Sequence, residues 1–248
     1  MSFWIAVNKV LDEADVVLVV LDARMPELSY NKEIHDKIKR SGKMEILVYN
    51  KVDLVSRKQL DSLRNNIGKG YFISKYEKNG VERLKRDLIK LADKGGREEM
   101  RIGVVGYPNV GKSSVINALT GRKRAAVANV AGTTKGIQWV VEGKLKFLDS
   151  PGVIPFRDGS SKLGLLGAKN AEKLKDPQKV AHAILRNFIK ANKEALEEFY
   201  GINVGEDIEK VFNEIGKKRR FLSKGGVVDE MRTATTIIRD WHRGKLKI

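Results

Sequence analysis

Apolar and polar positions follow two rhythms along this chain. Residues 16–21 form an unbroken apolar, β-branched run, the pattern of a parallel strand buried on both faces. Residues 45–49 repeat it and deliver Asn50 to the end of a second strand. Residues 71–73 predict a short third strand and 102–105 a fourth. Two more apolar stretches, 137–141 and 145–148, flank Glu142-Gly143 and predict a hairpin. Between these runs the period becomes helical: over 31–40, over a segment capped by Ser56 that reaches about Ile67, and over 114–119. Another helix is expected to follow Gly80 and reach Ala92, with Val81, Leu84, Leu88 and Leu91 on one face. The polar stretch 93–100, containing Gly95-Gly96, reads as a linker. Strands alternating with helices specify an α/β class with a mostly parallel sheet.

After about Phe156 the strand rhythm stops. Helical patterns occupy 177–191, 194–199, 207–215 and 228–241, with no convincing strand among them. Two domains are therefore expected, an α/β domain over residues 1–156 and a small all-α domain over residues 165–248. Ile237, Ile238 and Trp241 share a face at helical spacing, which places Trp241 in a core rather than against a base. Gly159, Gly164 and Gly167 are expected to let the joining segment move.

Charge changes this picture more than composition does. The 248 residues include 48 Lys and Arg against 31 Asp and Glu, a formal net charge of +17. An excess of that size points to a polyanionic partner, most simply nucleic acid, because charge-rich solvated surfaces tend to balance their signs. With no cysteine, disulfides and thiolate metal sites are excluded. No leader-like pattern or membrane-length apolar run stands out, so a cytoplasmic protein without membrane contact, and a monomer, is the expectation.

The candidate chemistry lies where strands end. Gly106 to Ser113, in Gly-Tyr-Pro-Asn-Val-Gly-Lys-Ser, is a G-x-x-x-x-G-K-S phosphate loop between a strand and a helix. Its glycines let backbone N–H groups approach phosphates. Lys112 is expected on the β- and γ-phosphates and Ser113 on Mg²⁺. Asn109, Val110, Gly111 and Ser114 complete the expected nucleotide contacts. Asp149-Ser150-Pro151-Gly152 fits D-x-x-G, with Asp149 toward Mg²⁺ and Gly152 toward the γ-phosphate. Between the two lies Gly132-Thr133-Thr134-Lys135-Gly136, where Thr134, with Thr133 as the alternative, would complete the Mg²⁺ shell.

Asn50-Lys51-Val52-Asp53 reads as a guanine-selecting N-K-x-D element. The Asp53 carboxylate can accept from guanine N1–H and the 2-amino group, a donor pair adenine lacks. Lys51 is expected over the base and Asn50 between the loops. Ser74-Lys75 takes the place of an S-A-K element on the guanine carbonyl. Asp22-Ala23-Arg24 reads equally as a strand-end turn held by an ion pair or as a functional element. The guanine element here precedes the phosphate loop. Placing residues 101–150 ahead of 14–92 restores the usual order, so the reading is a circularly permuted, Ras-like P-loop GTPase domain followed by a small all-α domain.

In these motifs, and more faintly in Gly225-Gly226-Val227-Val228-Asp229 and the stretch from Arg239 to Leu246, the chain resembles the YlqF/YawG family of circularly permuted GTPases. The resemblance implies GTP/GDP and Mg²⁺ as ligands, and action on the large ribosomal subunit or its precursor through rRNA. Val153 stands where many GTPases carry a water-positioning glutamine. Bacterial members carry a histidine very near the N-terminus, whereas the first histidine here is His35. Slow intrinsic turnover, stimulated by the cognate particle, is expected. In GTPases with a similar loop, the residue matching Asn109 helps hold K⁺, so Lys112, Thr134, Gly152 and Asn109 form the expected catalytic set. Another structured RNA, or a protein partner without RNA, are the alternatives.

Overall fold

A computed structural model describes residues 3–67, 69–74, 76–121, 138–150 and 158–248. Two compact units divide the chain, Met1–Arg157 and Asp158–Ile248. The first is built on a six-stranded sheet: β1 (Val16–Asp22), β2 (Met44–Asn50), β3 (Tyr71–Ile73), β4 (Met100–Val105), β5 (Gln138–Glu142) and β6 (Leu145–Asp149). Its order is β3-β2-β1-β4-β6-β5, and all neighbours are parallel except the β5–β6 hairpin. Counted from the phosphate-loop strand β4 onward and then from β1, that order becomes the Ras-like arrangement seen through a permuted chain.

All seven residues of β1 are buried, which requires cover on both faces. Alternation along the strand divides the labour. Val17, Val19 and Leu21 pack with Val7, Val10, Leu11 and Ala14 and with Ile34 and Ile38. These come from α1 (Phe3–Glu13) with its following turn, and from α3 (Lys32–Arg40), which a short helix α2 (Pro26–Ser29) precedes. Asn31 caps α3 by accepting from Ile34 N at 3.2 Å, and Ser56 caps α4 (Arg57–Asn66) from Gln59 N at 3.4 Å. α5 (Lys78–Lys94) and α6 (Lys112–Thr120) pack on each other, with α5 against β3 and α6 against β6.

Two expectations are corrected here. Gly80 does not precede its helix but lies inside the first turn of α5, and the helix runs on through Asp93 to Lys94. A Cβ at Gly80 would overlap the Phe72 carbonyl oxygen, so this residue lets α5 begin directly on β3. α1 has no counterpart in the pattern reading, which begins at Val16.

The second unit contains helices α7 (Ser160–Leu165), α8 (Pro177–Ala191), α9 (Lys193–Tyr200), α10 (Ile208–Lys218) and α11 (Glu230–His242), and among its described residues only an isolated bridge, Leu222 with Val228, is strand-like. α8 and α11 form its centre. Val180, Ile184, Leu185 and Phe188 are buried with Ile237, Ile238 and Trp241. Trp241 packs edge-on to Phe188, and its indole N–H donates to Leu165 O at 2.9 Å, so it belongs to the core. Gly164 proves to be a packing position rather than a hinge. It is buried in α7, a Cβ there would press on Leu174 and Val180 at 3.0 Å, and its carbonyl lies 2.6 Å from His242 Nε2.

Candidate functional site

Strand register brings the motifs together. Asp22 of β1 pairs with Asn50 of β2, Asn50 with Ile73 of β3, and Val104 of β4 with Asp149 of β6. The described candidates therefore leave the sheet at the carboxyl ends of parallel strands, where open α/β sheets bind ligands.

The phosphate loop turns sharply between β4 and α6. Gly111 takes φ 100° immediately before Lys112, a backbone state that disfavours side chains. A Cβ there would also overlap the Asn50 amide. Asn50 Nδ2 donates to Val110 O at 2.9 Å, so the strand end of the guanine element braces the phosphate loop as expected. Val110 is buried, Ser114 lies half-buried in α6, and Asn109 is half-buried at φ 62°, a left-handed state that asparagine tolerates better than most residues. Lys112 is buried, and its Nζ donates to the Gly106 and Tyr107 carbonyls at 3.2 and 3.0 Å. Burial lowers its pKa to about 8, against the opposing charge of Asp149.

Ser113 Oγ donates to Asp149 Oδ2 at 2.8 Å, while Asp149 Oδ1 is buried without a hydrogen-bond partner. Burial pushes the Asp149 carboxyl above its ordinary value, with Ser113 and Lys112 opposing. A hydroxyl facing a half-satisfied buried carboxylate is a pair of hard oxygen donors, and such a pair fits Mg²⁺. Ser150, which motif reasoning passed over, is fully buried and donates from Oγ to Val104 O at 2.6 Å. That bond ties the start of the D-x-x-G element to the phosphate-loop strand.

On the guanine side, Lys51 adopts φ 68° and opens a 3-10 turn, Val52–Leu54, that carries Asp53. Lys51 Nζ donates to Asp22 Oδ2 at 2.7 Å, and Arg24 Nη2 donates to the same oxygen at 2.7 Å. The ion pair expected within Asp22-Ala23-Arg24 is therefore present, and it reaches into the guanine element. Asp22 lay outside the predicted nucleotide contacts; its signal in the sequence is its place at the end of a strand adjacent to the one ending in Asn50. Ser74 is buried, and its Oγ accepts from Tyr76 N and Glu77 N at 3.2 and 3.1 Å, fixing the turn into α5. Lys75, Thr133, Thr134, Gly152 and Val153 lie outside the described residues. Among the described residues no helix is long and apolar enough to cross a membrane.

Several known proteins are similar to this chain. Residues 101–214 match the family described as 50S ribosome-binding GTPase. An uncharacterized GTP-binding protein of Methanocaldococcus jannaschii is 44% identical over 97% of this chain and 65% of its own length. Nuclear GTP-binding protein NUG1 of Saccharomyces cerevisiae is 30% identical over 96% of this chain and 54% of its own. The chain thus spans less than two thirds of either relative. The crystal structure of GNP-bound YlqF from T. maritima superposes with a TM-score of 0.62 at 26% identity, covering 96% of this chain and 92% of that one. The permuted strand order, the braced phosphate loop and these similarities together give the chain the circularly permuted P-loop GTPase fold of YlqF.

Proposed function

We propose that this chain binds GTP with Mg²⁺, hydrolyses it to GDP and phosphate, and serves as a nucleotide-dependent switch in assembly of the large ribosomal subunit through rRNA contacts. One observation carries the nucleotide reading: the Ser113–Asp149 pair, Lys112 and the Asn50-braced guanine element stand at the same end of one sheet. Asp53 selects guanine, Lys51 and Ser74-Lys75 frame the base, and Lys112 with the loop N–H groups holds the phosphates. Ser113, Asp149 and Thr134 hold Mg²⁺, which when bound draws charge from the phosphate oxygens. Gly152 senses the γ-phosphate.

Catalysis by this chain alone is slow, because Val153 and the following Ile154 cannot orient water. Asn109 supports a K⁺ requirement, and a particle-borne group completes the site. The ribosome reading is supported by the description of the matched family, by the nuclear naming of a relative, and by the net charge of +17. The test is GTP turnover in K⁺ and in Na⁺, with and without purified large subunits. Stimulation of tenfold or more by the large subunit, and faster turnover in K⁺, is expected. Tight GTP binding with no stimulation would move the reading to another RNA or a protein partner, and ATP binding tighter than GTP would end it.

A further inference from the structure

Asp22 is a buried carboxylate whose two oxygens carry four bonds. Oδ1 accepts from Arg24 N at 3.1 Å and Nε at 3.0 Å; Oδ2 accepts from Arg24 Nη2 and Lys51 Nζ, each at 2.7 Å. Its backbone is fixed as well, since Asp22 N donates to Ser29 Oγ at 3.0 Å and Ala23 N to Asn50 O at 2.8 Å. Burial pushes the Asp22 carboxyl up, but the charges of Arg24 and Lys51 outweigh it and hold the group far below the usual carboxylate range. Asp22 is thus a rigid anion at the end of β1, aimed at the lysine of the neighbouring strand.

Lys51 is the group that needs such an anchor. A lysine side chain has many rotamers and a strongly hydrated head, and without a tether its stem would sample several directions. Here the ammonium is pinned, the side chain is only 19% exposed, and the backbone is held at φ 68°, from which the turn bearing Asp53 begins. The guanidinium of Arg24 sits 2% exposed on the other side of the same carboxylate and keeps it from turning away.

We propose that Asp22 is a positioning residue for guanine recognition: held by Arg24, its carboxylate fixes the Lys51 ammonium, so that the lysine stem and the Asp53 turn are set before the base arrives. The proposal rests on the guanine reading above and adds to it a residue outside the N-K-x-D element. Ordering that Asp22 supplies need not be supplied by the nucleotide, so the effect appears as affinity for guanine nucleotides.

Removing Asp22 alone leaves two buried cations, a change that can unfold the site. The test therefore neutralises the pair together, as Asp22→Asn with Arg24→Gln, and measures GDP affinity by titration in the wild-type and Lys51→Met backgrounds. Expected is a rise in Kd of about tenfold in the first background and less than twofold in the second, the non-additivity of residues acting as one unit. A folded double variant with wild-type GDP affinity overturns the proposal. So does an equal loss in both backgrounds, which would mean a general structural role. A second measurement needs no variant: the Lys51 ammonium of the nucleotide-free protein should be rotationally restricted by NMR, and free rotation would overturn the proposal. If wild-type protein binds no GDP, the guanine reading itself fails and takes this inference with it.

Discussion

Lys112 shows what burial does to a charge that awaits a ligand. Buried against two carbonyl oxygens, with the Asp149 carboxylate as its opposing charge, it loses its proton near pH 8 rather than above 10. Nucleotide phosphates at the loop would add negative charge and raise that value again. The sign follows: below pH 8 the lysine is charged with or without nucleotide, but between about 8 and 10 only the bound form keeps the proton. GDP binding at pH 9 should therefore take up close to one proton, and affinity should fall as pH rises through this window. Titration calorimetry in buffers of different ionisation enthalpy measures the uptake; none at pH 9 would contradict it. Lys112, Ser113 and Asp149 were legible in the sequence because a phosphate loop leaves little choice of residue type. The Asp22–Lys51 bond was not, since it depends on two strand ends 29 positions apart being neighbours in the sheet.

At the level of elements, legibility tracks the contrast between apolar and polar positions. β1 and β2 announce themselves, and so does the face of α5 that buries Val81, Leu84 and Leu88. α1 is hidden because residues 3–7 are apolar without interruption, which masks the helical spacing of Val7, Val10, Leu11 and Ala14. The start of α5 was misplaced at Gly80 because glycine usually punctuates a helix, whereas here it serves a close approach to β3. Gly216 of α10 illustrates the same use. In a helix interior, replacing glycine by alanine ordinarily stabilises by about 0.5–1 kcal/mol. At this position the new Cβ would overlap Val228 Cγ1 and stand 2.8 Å from Thr233 Oγ1. Overpacking of this kind costs about 1–3 kcal/mol and should win. Gly216→Ala should lower the unfolding midpoint and loosen hydrogen-exchange protection in α10 and α11, while protection of β1 and β4 stays as it is. A raised midpoint would show that Val228 yields without cost.

For the whole molecule, charge is the property that a fold does not explain. Residues 158–248 hold 19 Lys and Arg against 13 Asp and Glu, so the excess of +17 is shared by both units and is not confined to the helical one. Much of that charge is already used at home: Arg239 pairs with Glu172, Lys245 with Asp240, and Arg219 lies over the rings of Phe199 and Tyr200. Lys217, Lys218 and Arg220 differ. They are exposed at the end of α10, and among the described residues none has an acidic side chain within ion-pair distance. If the proposed RNA contact falls here, such a cluster would meet phosphate rather than read bases, because point charges on flexible stems carry no base pattern. Each phosphate neutralised contributes a slope of about −0.7 to −0.9 in log K against log salt. Under the proposed function, replacing Lys217, Lys218 and Arg220 by glutamine should reduce the salt slope of rRNA binding by about 2–3, measured between about 50 and 200 mM KCl. The loss should be similar for unrelated RNA sequences of equal length. A slope that does not change would mean that any RNA contact lies on charges outside this cluster, and a loss confined to one sequence would mean that the cluster reads bases after all.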